Sequence, residues 1–248
     1  LYPYKPSRIA GMISVIVFAI LFLVHIFRLF KTRTWFCIPF IVGAAFEILG
    51  YAARTKGHGN PTAMNPFIIQ TILILLAPIL FAASVYMFLG RIVRNTGQDR
   101  LSIVRPTLLT KMFVGGDILC FLIQGVGAGI LSKAKEKKDF DLGKAIILGG
   151  LVLQLVIFGL FMVVAVVFHV RADRVITKGT SREAFSWRKY LAMLYAVSII
   201  ITLRNVMRFA EYVGGEKGYL LQNEWPIYSF DAVPMAVVLV ICVAWYVG

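Results

Sequence analysis

Long apolar runs separated by short polar breaks set the pattern of this chain. A hydrocarbon layer of about 30 Å needs roughly 20 residues of apolar helix. Runs of that kind fall at 9–30, 34–54, 66–91, 108–131, 143–170, 189–212 and 225–247. The breaks between them carry turn formers, as in "GHGNP" (57–61), "NTGQ" (95–98), "KGTS" (178–181) and "GGEKG" (214–218). Membrane β-strands would show alternating segments of only ~10 residues, and these runs are longer and continuous. The pattern predicts an all-α integral membrane protein, a seven-transmembrane helix bundle forming a single domain over 1–248.

Composition strengthens that reading. Of 248 residues, 59% are hydrophobic and 15% charged, and mean hydropathy is +0.81. Soluble domains run nearer a quarter charged, so the bilayer is the expected solvent, and no polar stretch is long enough for a separate soluble domain. The net charge of +14 does not imply nucleic acid, because most of it lies in short breaks between spans. Arg28, Lys31 and Arg33, then Arg91, Arg94, Arg100, Arg105 and Lys111, then Arg171, Arg174, Lys178, Arg182, Arg188 and Lys189 lie in or beside the first, third and fifth breaks. The positive-inside rule then puts the N-terminus outside and the C-terminus in the cytosol; the lysines of "SKAKEKKDFDLGK" (132–144) run against this. The chain starts at Leu1 and stops inside "AVVLVICVAWYVG", so both ends are expected to be trimmed.

Some side chains are out of place in lipid. Glu47, Asp117, Arg204, Arg208, Glu211 and Asp231 fall well inside the spans, and a central charge costs about 2.5–3.5 kcal/mol on insertion scales. Such groups are expected to face inward, meet one another, or line water. Helical spacing agrees, since residues at i, i+3/i+4 and i+7 share a face. Arg204, Arg208 and Glu211 form one stripe; Glu47, Tyr51 and Arg54 a second; Asp117 and Gln124 a third; Glu224, Tyr228 and Asp231 a fourth. Arg204 and Arg208 are expected to neutralise Glu47, Asp231 and Glu211 across the bundle, with Asp117 deeper and Glu224 solvated at the interface. An interhelical clamp and the floor of an outward-facing cavity for a polar headgroup both fit; taken as a set, the charges favour the cavity.

Other residues carry less. Pro78 and Pro234 are expected to interrupt their helices as kinks, with a hinge as the alternative, and Gly125 and Gly129 to serve close packing rather than the approach of backbone to a ligand. His25 and His169 are expected at an interface or in the core, and Trp35, Trp187, Tyr190, Tyr219, Trp225 and Trp245 as interfacial anchors. Cys37, Cys120 and Cys242 lie in apolar runs without metal-ligand spacing and are expected to be packing residues. No phosphate-binding glycine loop is present, the last span has no lysine for a Schiff base, and histidines are too few near the carboxylates for a metallohydrolase. The chain is therefore expected to be neither an enzyme nor a holder of cofactor or metal.

Four stretches, "FEILGYAAR" (46–54), "QTILILLAPILFAASVYMFLGRI" (70–92), "DILCFLIQGVGAGI" (117–130) and "RNVMRFAEYVGGEKGYLLQNEWPIYSFDAVPM" (204–235), closely resemble the fungal lipid-translocating exporter family. That family includes proteins named for resistance to aminocholesterol, sphingoid long-chain base resistance and protoporphyrin uptake. The last stretch is the most specific, with R-x-x-x-R-x-x-E-Y, G-Y-L, E-W and F-D-A-x-P in order. The resemblance implies a fungal source, seven spans, and a multi-pass protein of the plasma membrane or another fungal endomembrane. It also implies that the family's marked polar residues fall on Glu47, Tyr51, Arg54, Gln70, Asp117, Gln124, Arg204, Arg208, Glu211, Glu224 and Asp231. Asn223 departs from the histidine the resemblance would place there. The function so implied is ATP-independent translocation or export of amphipathic, sphingoid-like lipids. The substrate would be bound by Glu47, Tyr51, Gln70, Asp117, Gln124, Arg204, Arg208, Glu211, Tyr228 and Asp231. Membrane lipids and the substrate are the expected partners, and a homo-oligomer is compatible. The alternative is a seven-helix receptor or sensor holding a lipid or porphyrin in an outward-facing cavity.

Overall fold

The apolar runs fold as helices because, in lipid, a backbone satisfies its N–H and C=O groups most readily within its own segment. The computed structural model describes residues 7–57, 64–97, 101–102, 104–133, 136–176, 187–214 and 223–246. Among them there is no strand, and seven helices are long and apolar enough to cross a membrane. They are α1 (Arg8–Thr32), α2 (Ile38–Gly57), α3 (Met64–Asn95), α4 (Pro106–Lys133), α5 (Lys137–Ile176), α6 (Trp187–Gly214) and α7 (Trp225–Trp245). The chain is a multi-pass membrane protein. The sequence-predicted span 143–170 is the middle of α5, whose 40 residues extend about 60 Å at 1.5 Å per residue. Ser7 caps α1, its Oγ accepting from the Ala10 N–H at 3.4 Å. Arg33 closes the same helix in the left-handed region, with φ 53°.

Outward faces are apolar, as a lipid solvent requires. On α1, Ile9, Ile13, Ile16, Ile20, Leu23, Phe27 and Phe30 are all exposed at helical spacing. On α5, Val152, Val156, Leu160 and Val163 do the same. Large exposed apolar residues would be a liability in water and are the contact surface here.

The residues divide into two compact units, one from 1–81 with 203–248 and the other from 82–202. In the first, α2 lies close to α3 because Gly50 has no side chain. A Cβ there would stand 2.7 Å from Ile74 Cγ1. At one end of this unit Phe40 packs on Phe81, His25 and Trp245. His25 is fully buried: Nε2 donates to the Leu239 carbonyl at 3.0 Å, and Nδ1 then accepts from the Tyr246 hydroxyl at 2.8 Å. Trp245, expected as an interfacial anchor, is instead a core residue at 1% exposure, whereas Trp35 and Trp225 are exposed. Tyr219 lies outside the described residues. Cys37, Cys120 and Cys242 are buried and form no disulfide.

In the second unit α4 packs along α5, and the contact is made by Gly127, not by its neighbours. A Cβ on Gly127 would meet the Gly143 carbonyl at 2.9 Å, while one on Gly125 or Gly129 would meet nothing within 4 Å. The expectation that Gly125 and Gly129 serve close packing is therefore corrected: the helix faces α5 through the glycine between them. Tyr86, Phe113, Phe158 and Phe161 form an aromatic cluster here, Tyr86 and Phe161 meeting edge-on at 4.6 Å. His169 reaches Tyr195 Oη at 3.2 Å.

Candidate functional site

The first unit collects most of the charged stripes, and two prolines explain how. Pro78 has no N–H, so the carbonyl of Ile74, four residues earlier in α3, loses its helical donor. Arg204 Nη2 fills that place at 2.9 Å. Its Nε donates to Asp231 Oδ1, forming a buried ion pair, with Arg204 2% and Asp231 3% exposed. Asp231 in turn lies on a π turn, Tyr228–Ala232, inside α7. Val233 N–H reaches back five residues to the Tyr228 carbonyl, and Pro234 follows at once. A proline cannot donate to the carbonyl four residues back and its ring crowds it. The helix widens where that constraint falls, as π turns do within α-helices.

Arg208 stands one turn beyond Arg204. It donates through Nη2 to Asp231 Oδ2 at 3.1 Å and through Nη1 to Glu211 Oε2 at 3.2 Å. Asp231 is thus held by two guanidinium groups, one on each oxygen. Such charge-assisted bonds are the strong kind, and they join α3, α6 and α7 around one carboxylate.

Nearer the Ser7 end of the same unit lies a second ion pair, Arg54 Nη2 to Glu224 Oε1 at 3.0 Å. Glu224 also accepts the Ser7 N–H on both oxygens at 2.8 Å and the Tyr228 hydroxyl at 3.0 Å. Arg54 Nε donates to that hydroxyl at 3.1 Å, and its guanidinium lies 5.5 Å from the ring centroid of Tyr228. Glu224, expected at the interface within reach of water, is 19% exposed and is also held by a helix start, an arginine and a tyrosine.

Between the two pairs stand Tyr51 and Glu47. The Tyr51 ring is stacked between Phe18 at 5.8 Å and Tyr228 at 6.0 Å. Tyr51 and Glu47 are both at 0% exposure. The Tyr51 hydroxyl and both Glu47 carboxyl oxygens have no hydrogen-bond partner. The charged groups acting on Glu47 are Asp231, Arg204 and Arg208. Here the expectation that an arginine pairs with Glu47 needs correction. Both arginines are drawn to Asp231, and two guanidinium groups face the three carboxyl groups of Glu47, Glu211 and Asp231. One acid is left over.

Gln70 is buried on α3, one turn before Ile74. Asp117 and Gln124 belong to the second unit. Asp117 is 1% exposed; Oδ2 accepts from Tyr86 Oη at 2.7 Å, and Oδ1 has no partner. Gln124 Nε2 donates to Gln154 Oε1 at 3.0 Å. The partners Tyr86, Gln154 and the Ile74 carbonyl were not singled out from the sequence. Only the carbonyl had a readable signal, a proline four residues downstream.

A family model described as "RTA1 like protein" matches residues 40–248. Among relatives, protoporphyrin uptake protein 1 of Saccharomyces cerevisiae is 36% identical over 82% of this chain and 66% of its own length. Protein RTA1 of the same yeast is 34% identical over 82% of this chain and 63% of its own. The sphingoid long-chain base transporter RSB1 of S. cerevisiae is 26% identical over 98% of this chain and 72% of its own. The chain spans a little under two thirds of the length of the first two. No solved structure matches. The chain belongs to the RTA1-like family.

Proposed function

With that membership as premise, we propose that this chain carries single-chain amphiphiles with a cationic head, of the sphingoid-base kind, between membrane leaflets. It does so without an ATP-binding module of its own, at the plasma membrane, with its N-terminus outside. The observation that carries the reading is Glu47, a fully buried carboxyl group with no partner on either oxygen, next to a network whose arginines already hold Asp231. A charge buried in lipid is retained where it serves a pathway or a ligand. An ammonium head fits the acid left over, and hydroxyl groups on the head would reach the free hydroxyl of Tyr51. The alkyl chain stays against the apolar outer faces of the helices. The π turn at Tyr228–Ala232 is the place where α7 bends to admit the head, since π turns inside α-helices are frequent at functional sites.

Relatives named for sphingoid-base transport and for protoporphyrin uptake leave two ligand chemistries to compare. A protoporphyrin carries carboxylates and would need a spare guanidinium. The surplus group in this cluster is an acid, so the amine is favoured. The test is leaflet-to-leaflet movement of labelled sphinganine and of protoporphyrin in liposomes holding the purified chain. Faster movement of sphinganine than in protein-free liposomes, with protoporphyrin unchanged, supports the reading. Movement of protoporphyrin alone, or of neither, overturns it.

A further inference from the structure

Resting on that reading, we propose that Glu47 is a one-cation exchange site. It holds a proton when no lipid is bound and releases it to water as the ammonium head takes its place, so that one proton leaves for each amphiphile that enters.

Among the described residues, the charged groups that bear on the Glu47 carboxyl group are Asp231 from α7, and Arg204 and Arg208 from α6. Its own helix adds Tyr51, whose hydroxyl is equally buried and unpartnered. Arg204 is fixed on Asp231 and on the Ile74 carbonyl. Arg208 is fixed on Asp231 and Glu211. Turning either arginine towards Glu47 would strip Asp231 of a donor, so the network cannot satisfy three carboxylates with two guanidinium groups. A buried charge is tolerated when it is paired and hydrogen-bonded. Glu47 is neither. With one more monocation the cluster is neutral, and two species meet that need: a proton on the carboxyl group, or an ammonium group beside the carboxylate.

The exchange balances simply. As the ammonium group approaches, the O–H bond of Glu47 breaks, its electron pair stays on the carboxylate oxygen, and the proton passes to water. The amine keeps its own charge throughout. Since proton and amphiphile cannot occupy Glu47 together, protons moving one way across the membrane drive the amphiphile the other way. That supplies a driving force that needs no nucleotide.

The experiment uses the purified full chain in phosphatidylcholine nanodiscs and N,N,N-trimethylsphingosine, whose fixed charge cannot itself give up a proton. Binding heat is measured in two buffers of different ionisation enthalpy, and the difference between them counts the protons released. We expect about one proton per ligand where the empty site is protonated, and affinity rising by up to about tenfold per pH unit there, because binding is linked to deprotonation. Glu47→Gln, a neutral isostere at a position with no hydrogen bond to lose, should release none and show weaker, pH-independent affinity. Binding with equal heats in both buffers across pH 5–9 would overturn the exchange and leave the lipid-binding reading standing. Absence of binding to the wild-type chain would overturn both. Proton release that persists in Glu47→Gln would move the exchange to another residue and so refute its assignment here.

Discussion

Replacing Arg204 with alanine removes three things at once: the partner on Asp231 Oδ1, the donor to the Ile74 carbonyl, and one of the two cations that offset three acids. Both ends of the ion pair are almost fully enclosed. Breaking such a pair from one side typically costs about 3–5 kcal/mol, and stranding a buried carbonyl adds about 1–3 kcal/mol. The second contribution is separable because Pro78 created it. In a Pro78→Ala background residue 78 regains an N–H that can reach the Ile74 carbonyl along the helix. Arg204→Ala should then cost about 1–3 kcal/mol less than it does with proline present. The assay is a four-member cycle of thermal melts in one detergent: wild type, each single variant, and the double. Equal losses from Arg204→Ala in the two backgrounds would refute the claim that this arginine replaces the bond that proline deletes. A loss no larger than that of the exposed Lys111→Ala would refute the buried pair itself.

Other substitutions read other parts of the structure. Glu224→Ala should lower the melting temperature clearly, by the loss of its bonds to Ser7, Arg54 and Tyr228, yet by less than Arg204→Ala, because Glu224 is 19% exposed; equal melts for wild type and Glu224→Ala would contradict that clamp. Gly127→Ala should destabilise, since its Cβ would meet Gly143 and Ile147 backbone atoms at 2.9 and 3.0 Å. Gly125→Ala, with open space around it, should be neutral or stabilising by up to about 1 kcal/mol; detergent melts of the pair decide this. In the second unit, Tyr86→Phe should cost about 1–3 kcal/mol by leaving both Asp117 oxygens without a donor. Adding Asp117→Leu to that variant should recover part of the loss in the same melts.

The number and type of the helices were legible in the sequence because lipid imposes length and hydrophobicity on every span, with few exceptions. The convergence of Arg204, Arg208, Glu211 and Asp231 was legible for the same reason: charges that lipid refuses must find one another. Which charge pairs with which was not legible. Helical periodicity gives a face, but pairing depends on the rotation and depth of each helix to within an ångström or two. Glu47 shared a face with the right neighbours and still received no donor. Glu224 lay where water was expected and received three. Asp117 and Gln124 shared a stripe on α4, but their partners Tyr86 and Gln154 are ordinary polar residues on α3 and α5. Among the glycines of "QGVGAGI" the spacing alone did not say which one faces α5, because three candidates on one helix differ only in rotation.

Glu47 carries the proposed transport most directly, and one comparison tests its role. Wild-type and Glu47→Gln chains, matched for folding by their melts, are placed in liposomes, and leaflet movement is timed for sphinganine and for its uncharged N-acetyl derivative. The account predicts that Glu47→Gln slows sphinganine by about tenfold or more, the scale of one lost charge-assisted contact, and barely alters the neutral lipid. Equal slowing of both lipids, or unchanged movement of sphinganine, would contradict it and make the cluster an interhelical clamp.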